Sequence, residues 1–96
     1  MPQIVWTESA VEDLNRHYEF LKINNADAAT KAIQGIVSSA ESLLKNPRRG
    51  TPIGESPGLR KILVSFSKYG YVIHYSILEE DVVILRVYHG RENRPR

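Results

Sequence analysis

Arg60, His89 and Arg91 are the residues of this chain whose types could do chemistry together. Cleaving an RNA phosphodiester takes one group to accept the 2′-hydroxyl proton, one to protonate the leaving oxygen, and cations to hold the charge gathering on phosphorus. A histidine moves protons near neutral pH, and arginines clamp phosphate. Arg60 opens one strand-like segment, while His89 and Arg91 close another. In an antiparallel sheet the start of one strand can lie level with the end of a neighbour. The three are therefore expected to converge at one end, with Tyr75 and Tyr88 close by in sequence order. The same residues also admit a plainer role: an edge cation, a hydrogen-bonded strand-end histidine, and an arginine resting on phosphate or carboxylate.

Other chemistries are thinly provided for. His17, His74 and His89 fall on a helix and two strands without metal-ligand spacing, and no carboxylate pair completes a site, so no metal and no cofactor is expected. There is no Gly-x-Ser-x-Gly elbow, and the glycines of residues 50–58 lack the Lys-Ser/Thr ending of a phosphate-cradling loop. Cysteine is absent, which removes disulfides, thiolate catalysis and Cys-ligated zinc or iron–sulfur sites. No stretch approaches the roughly 20 apolar residues of a membrane helix. Glu8, Glu12 and Asp13 interrupt any leader-like start, so a cytoplasmic protein without membrane association is the expectation.

The elements that must position these residues are legible as patterns. At 96 residues, 42% apolar and 25% charged, the chain suits a single domain spanning 1–96. Residues 1–45 hold a strand and a helical hairpin. Gln3–Trp6 is β-prone, and Thr7 and Ser9 are rival N-caps, Ser9 pairing with Glu12 at capping-box spacing. Val11, Leu14, Tyr18 and Leu21 then give a helical stripe to about Ile23, and Asn24-Asn25 breaks it. A second helix over about Ala26–Lys45 carries the stripe Ala29, Ala32, Ile33, Ile36, Val37, Ala40, Leu43 and Leu44, the alanines and Gly35 allowing close backbone approach. Residues 46–58 carry Pro47, Gly50, Pro52, Gly54, Pro57 and Gly58, which exclude helix and central strand and predict a long ordered loop. Residues 59–90 form a three-stranded meander: Leu59–Phe66, Gly70–Leu78 and Val82–His89, joined by short turns and hence antiparallel. Residues 91–96 are a basic tail. The order β-α-α-β-β-β predicts an α+β fold, a helical hairpin covering one face of a four-stranded, mainly antiparallel sheet.

Two features point to a macromolecular partner. Residues 1–44 hold three cations against six anions, whereas residues 45–96 hold ten against five, so basicity is concentrated in one half. Alternation also leaves both sheet faces apolar along much of their length, and one helical hairpin covers only one of them. The other face, its edge or both are expected to bind a partner.

Trp6-Thr7, Ala10, Asp13-Leu14, Tyr18, Pro47 with Gly50, Leu59-Arg60, Tyr71 to Tyr75 and Ile84-Leu85-Arg86-Val87-Tyr88-His89-Gly90-Arg91 together resemble the ParE/RelE superfamily of toxins, in order and over nearly the whole chain. The resemblance implies a type II toxin suppressed by a cognate antitoxin in a hetero-oligomer. RelE-like members resemble ribosome-dependent mRNA endonucleases. ParE-like members resemble inhibitors of DNA gyrase that carry no nuclease chemistry. Arg60 matches the strand arginine of many members, and His89 the histidine of a Glu-Arg-His nuclease type. That type's loop glutamate meets Pro52 and Ile53 here, with Glu55 displaced, and the lysine cluster of the other nuclease type is reduced to Lys61. The ending Val87–Arg91 looks more like ParE. A gyrase inhibitor is thus the first expectation, contacting its target through Arg60, Tyr75, Arg86, Tyr88, His89, Arg91 and Arg94. The alternative is an endoribonuclease acting on ribosome-bound mRNA through His89, Arg60 and Arg91.

Overall fold

A computed structural model describes residues 1–56 and 58–92 of the chain. The order is β1 (Ile4–Trp6), α1 (Glu8–Lys22), α2 (Ala26–Ser42), a 3-10 turn (Pro47–Arg49), β2 (Thr51–Pro52), β3 (Leu59–Val64), β4 (Tyr71–Leu78) and β5 (Asp81–His89). The sheet has five strands rather than four, in the order β1-β5-β4-β3-β2. The extra strand is the two-residue β2, which pairs antiparallel with Lys61 and Arg60 inside what the sequence reads as loop. Pro52 suits that edge position, where no ladder N–H is needed. β1 runs parallel to β5 and every other pair is antiparallel.

Local chemistry sets the helix ends. Thr7, not Ser9, caps α1: its Oγ1 accepts from the Ala10 N–H at 3.2 Å. The same hydroxyl lies 2.8 and 3.1 Å from the Ile84 and Leu85 carbonyls, so helix start and sheet are tied at one atom. Ser9 stands inside the first turn, and the capping box with Glu12 is not used. Asn25 caps α2 through the Ala28 N–H at 3.0 Å, as its competition for backbone groups suggests.

The core lies between the hairpin and one sheet face. Ala10, Ala32, Ile36, Ala40 and Leu43 from the helices meet Ile62, Val64, Tyr71, Ile73, Tyr75, Val82, Ile84 and Val87. The alanines let α2 sit close, and a Cβ at Gly35 would stand 4.0 Å from Val64 Cγ1. On α1 the buried face is rotated from the apolar stripe: Ala10, Asp13 and His17 are buried, whereas Val11 is 43% exposed.

The far face is more closed than its sequence suggests. Val72, His74 and Tyr88 are buried there, and among the described residues only the large apolar side chains Leu63, Leu78 and Val5 stay substantially exposed, at 71%, 67% and 37%. The expected open apolar sheet face reduces to three peripheral side chains.

Candidate functional site

Strand register decides which site residues meet. β3 and β5 are both antiparallel to β4 and therefore run parallel to each other. Arg60 pairs with Tyr75, which pairs with Ile84 near the start of β5; His89 pairs with Tyr71, which pairs with Val64 at the end of β3. Arg60 is thus level with the middle of β4 and His89 with its start, about 14 Å apart along the strand and two strand spacings apart laterally. The expected convergence does not form, because a meander brings the ends of adjacent strands level, whereas β3 and β5 are next-nearest neighbours.

At the Arg60 end the chemistry is internal. Arg60 Nη1 donates to the Arg48 carbonyl at 3.1 Å and the Gly50 carbonyl at 2.6 Å. The Tyr75 hydroxyl donates to the Pro47 carbonyl at 2.6 Å and accepts from the Gly50 N–H at 3.0 Å. Tyr75 is fully buried. These four bonds fasten the Pro47–Gly50 turn onto the sheet. Gly50 is required there, since a Cβ would fall on the Tyr75 hydroxyl and within 2.7 Å of the Lys61 carbonyl oxygen. Arg60 and Tyr75 therefore hold a loop, and Tyr75 offers no surface to a target.

At the His89 end a groove of about 570 Å³ opens between α1 and the ends of β4 and β5, with Arg16, Phe20, Leu21, Tyr71, His89 and Arg91 among its walls. His89 meets Tyr71 edge-on, ring centroids 5.5 Å apart, and leans on Tyr69 at 5.8 Å. Its Nδ1 accepts from the Arg91 N–H at 3.2 Å, which fixes the ring and leaves Nε2 as the other nitrogen for a ligand. The Arg91 guanidinium lies over the Tyr69 ring at 4.9 Å. Phe20, on the groove wall, is 71% exposed.

Between the ends sits a constellation that sequence reasoning passed over. β1 pairs with β5 only through Ile84, where the ladder is interrupted: Tyr75 faces Ile84 while His74 faces Arg86, so Leu85 is the bulged residue. Beyond the bulge α1 supplies the missing partner. Asp13 Oδ2 accepts from the Val87 N–H at 2.9 Å, and His17 Nε2 lies 2.8 Å from the Val87 carbonyl oxygen. That oxygen can only accept, so His17 donates through Nε2–H. One helical turn thus satisfies both backbone groups of an edge residue, a role otherwise played by a strand. Asp13 also receives Arg86 Nε at 2.7 Å and Arg16 Nη2 at 3.2 Å, and Arg16 bridges on to Glu92 at 3.0 Å. Glu92 in turn accepts from the His89 N–H at 2.9 Å.

The titrations follow from that packing. Burial alone would push the Asp13 carboxyl up, but hydrogen bonds from Arg86, the Val87 N–H and Arg16 outweigh it and hold it below the ordinary value. Burial dominates at His17 and pulls it down, against the opposing bond to the Val87 carbonyl. Arg86 is 43% exposed and lies 5.0 Å from the Tyr88 ring, but its fork is engaged by Asp13. Tyr88 is buried, 4.9 Å edge-on from His74. Of the expected contact residues, His89 and Arg91 share a groove, Arg60 and Tyr75 share the opposite end, and Arg86 and Tyr88 lie between; Arg94 is outside the described residues. The signal for Asp13 and His17 was their spacing of four, which puts both on the helical face of Ala10 and Leu21.

Among the described residues no group of His, Asp and Glu is arranged to hold a metal, and no helix is long and apolar enough to cross a membrane. The chain is thus a helical hairpin over a mixed five-stranded sheet, with a pinned Pro-Gly turn beside Arg60 and a histidine-arginine groove beside Tyr71. Residues 4–94 match the family described as ParE toxin of type II toxin-antitoxin system, parDE, and the chain belongs to that family, within the ParE/RelE superfamily. It is 35% identical over 85 residues to toxin RelE3 of Caulobacter vibrioides, covering 88% of this chain and 90% of that one. Toxin RelE1 of the same organism is 33% identical over 85 residues, covering 88% and 89%. In structure it resembles a chain of the chromosomal ParDE system of P. aeruginosa, with a TM-score of 0.74, 24% identity and coverage of 93% and 96%. A chain of the intact E. coli RelBE toxin–antitoxin complex superposes at a TM-score of 0.65, with 15% identity and coverage of 98% and 100%.

Proposed function

We propose that this type II toxin acts as a gyrase-directed inhibitor that binds its target rather than cleaving RNA. The carrying observation is the register that sets Arg60 four positions along β4 from His89 and one strand further away, with its Nη1 given to the Arg48 and Gly50 carbonyls. Proton transfer and phosphate clamping need groups within hydrogen-bond reach of one reacting phosphate. Target contact then falls on the groove end, where Arg91, His89 and Tyr69 are presented, with Arg86 beside them. A supercoiling assay with purified gyrase tests this: inhibition that saturates with toxin is expected, and unimpaired supercoiling at saturating toxin rejects it.

The same groove is the proposed seat of a cognate antitoxin. Phe20 and Leu21 offer an apolar wall and Arg91, which no described carboxylate pairs, a cation at the rim, which suits an amphipathic helix carrying acidic residues. Co-purification with the product of a neighbouring reading frame is expected; a toxin that emerges alone and leaves growth unaffected counts against it.

A second reading, a RelE-like mRNA endonuclease, is favoured by the names of the two curated relatives and by His89 standing with Arg91 and Arg16 at one groove. Primer extension on mRNA from expressing cells separates the two. New codon-phased ends abolished by His89→Gln would establish the enzyme and displace the gyrase reading.

A further inference from the structure

We infer that the corner formed by Lys45, Arg48 and Arg49 is a docking surface for the phosphate backbone of duplex DNA. The cations of this chain are spent unequally. At the groove end Arg16 and Arg86 are neutralised by Asp13 and Glu92 at 2.7–3.2 Å. Lys45, Arg48 and Arg49 are exposed, and none takes part in an ion pair among the described residues.

The corner is rigid. Four hydrogen bonds from Tyr75 and Arg60 pin the Pro47–Gly50 turn, and Gly50 is fitted too closely to admit a side chain. Arg49 is steered further by Ser42, whose Oγ accepts from Nη2 at 2.8 Å while donating to the Ser39 carbonyl at 2.6 Å. Ordering an arginine before it binds removes part of the entropy cost of the contact. The buried hydroxyl of Tyr75 and the Arg60 guanidinium thus hold in place a turn whose exposed side chains are two arginines.

The surroundings select the partner. Protein interfaces rest on buried aromatic or aliphatic anchors, and no aromatic residue is among the exposed described residues of positions 42–52, where Leu44, 39% exposed, is the large apolar side chain. Single-stranded nucleic acid is held by stacking on aromatics, yet exposed Phe20 and Tyr69 lie at the opposite end of β4. What remains is charge and the exposed Thr51 side chain on a pinned turn, the equipment of duplex backbone contact. The surface is separate from the groove and stands whether or not gyrase is the target.

Fluorescence anisotropy of the full chain with a labelled mixed-sequence duplex of about 20 base pairs tests this, over roughly 20–200 mM salt. Three phosphate contacts give a slope of log affinity on log salt of about −2.7, and Arg48→Ala with Arg49→Ala brings it to about −0.9. Lys22→Ala with Lys31→Ala changes net charge equally on the helices and is expected to leave the slope unchanged. If the double arginine variant melts early, Arg48→Gln alone is expected to lower the slope by about one. No binding at the lowest salt, equal losses in both double variants, tighter binding of single-stranded RNA, or displacement by polyglutamate as effective as by duplex would each overturn the assignment.

Discussion

Asp13 is the residue whose removal should report most directly on the logic of this fold. Its side chain is 4% exposed and accepts from the Val87 N–H, Arg86 and Arg16. Asp13→Ala strands the buried Val87 N–H, which costs about 1–3 kcal/mol. Arg86 and Arg16 are 43% and 48% exposed and regain water, so their share is discounted to about 1 kcal/mol together. The expected loss of about 2–4 kcal/mol is a large part of the roughly 5–15 kcal/mol such a domain commands. Urea unfolding at neutral pH should show the midpoint falling by about 1–2 M. Asp13→Asn keeps an acceptor for Val87 and should lose about half as much. It should also lose an acid limb. A carboxyl held below its ordinary 3.8 when folded contributes stability that is fully present above that value and is lost as pH falls through the folded value. If Asp13→Ala unfolds within about 0.3 M of the parent, or Asp13→Asn keeps the parent's acid limb, α1 does not close the β5 edge as argued.

His17→Gln keeps a donor for the Val87 carbonyl but cannot titrate. Because burial depresses His17, its contribution is complete above the ordinary 6.5 and is lost as pH falls through the lowered folded value, so urea midpoints between pH 7.5 and 5 should drop in the parent and stay flatter in the variant. Tyr75→Phe unpairs the Gly50 N–H and Pro47 carbonyl and should cost about 1–3 kcal/mol by urea unfolding, while Gly50→Ala, which collides with that hydroxyl, should cost at least as much. Phe20→Ser alters a side chain 71% exposed, so stability should stay within about 0.5 kcal/mol. On the antitoxin reading, calorimetric affinity for that partner should nevertheless fall about tenfold or more.

How far the sequence could be read depended on whether a signal was local. The α2 cap, the helix periods and the three long strands are legible because each rests on residues within a turn or two: Asn25 caps α2, and Ala29, Ala32, Ile36, Ala40 and Leu43 face the core as their spacing requires. The two-residue β2 was not, since Thr51-Pro52 carries no strand pattern and owes its existence to β3 beside it. The buried pair on α1 was hidden by its polarity. Val11, Leu14, Tyr18 and Leu21 mark an apolar stripe, yet the position over Val87 goes to Asp13 and His17 because an open β5 edge needs a donor and an acceptor more than another methyl. The expected convergence of Arg60 with His89 and Arg91 is a non-local matter of the same kind. Arg60, His89 and Arg91 were correctly placed at strand ends, but which ends coincide is set by the number of strands between them.

That parity also explains why the two ends of β4 differ in character. Tyr71 and Tyr75 are four positions apart, and both face the helices. At Tyr71 the chain keeps an open groove and engages Arg16 and Arg86 with Asp13 and Glu92, so a ligand there meets aromatic walls and the guanidinium of Arg91. At Tyr75 the groove is filled, since the hydroxyl reaches through to the Pro47–Gly50 backbone. Arg60 is drawn into the same task, leaving the cations of the turn facing outward. A single phosphate cannot span both ends, whereas a protein partner at one and a nucleic-acid backbone at the other can be held together.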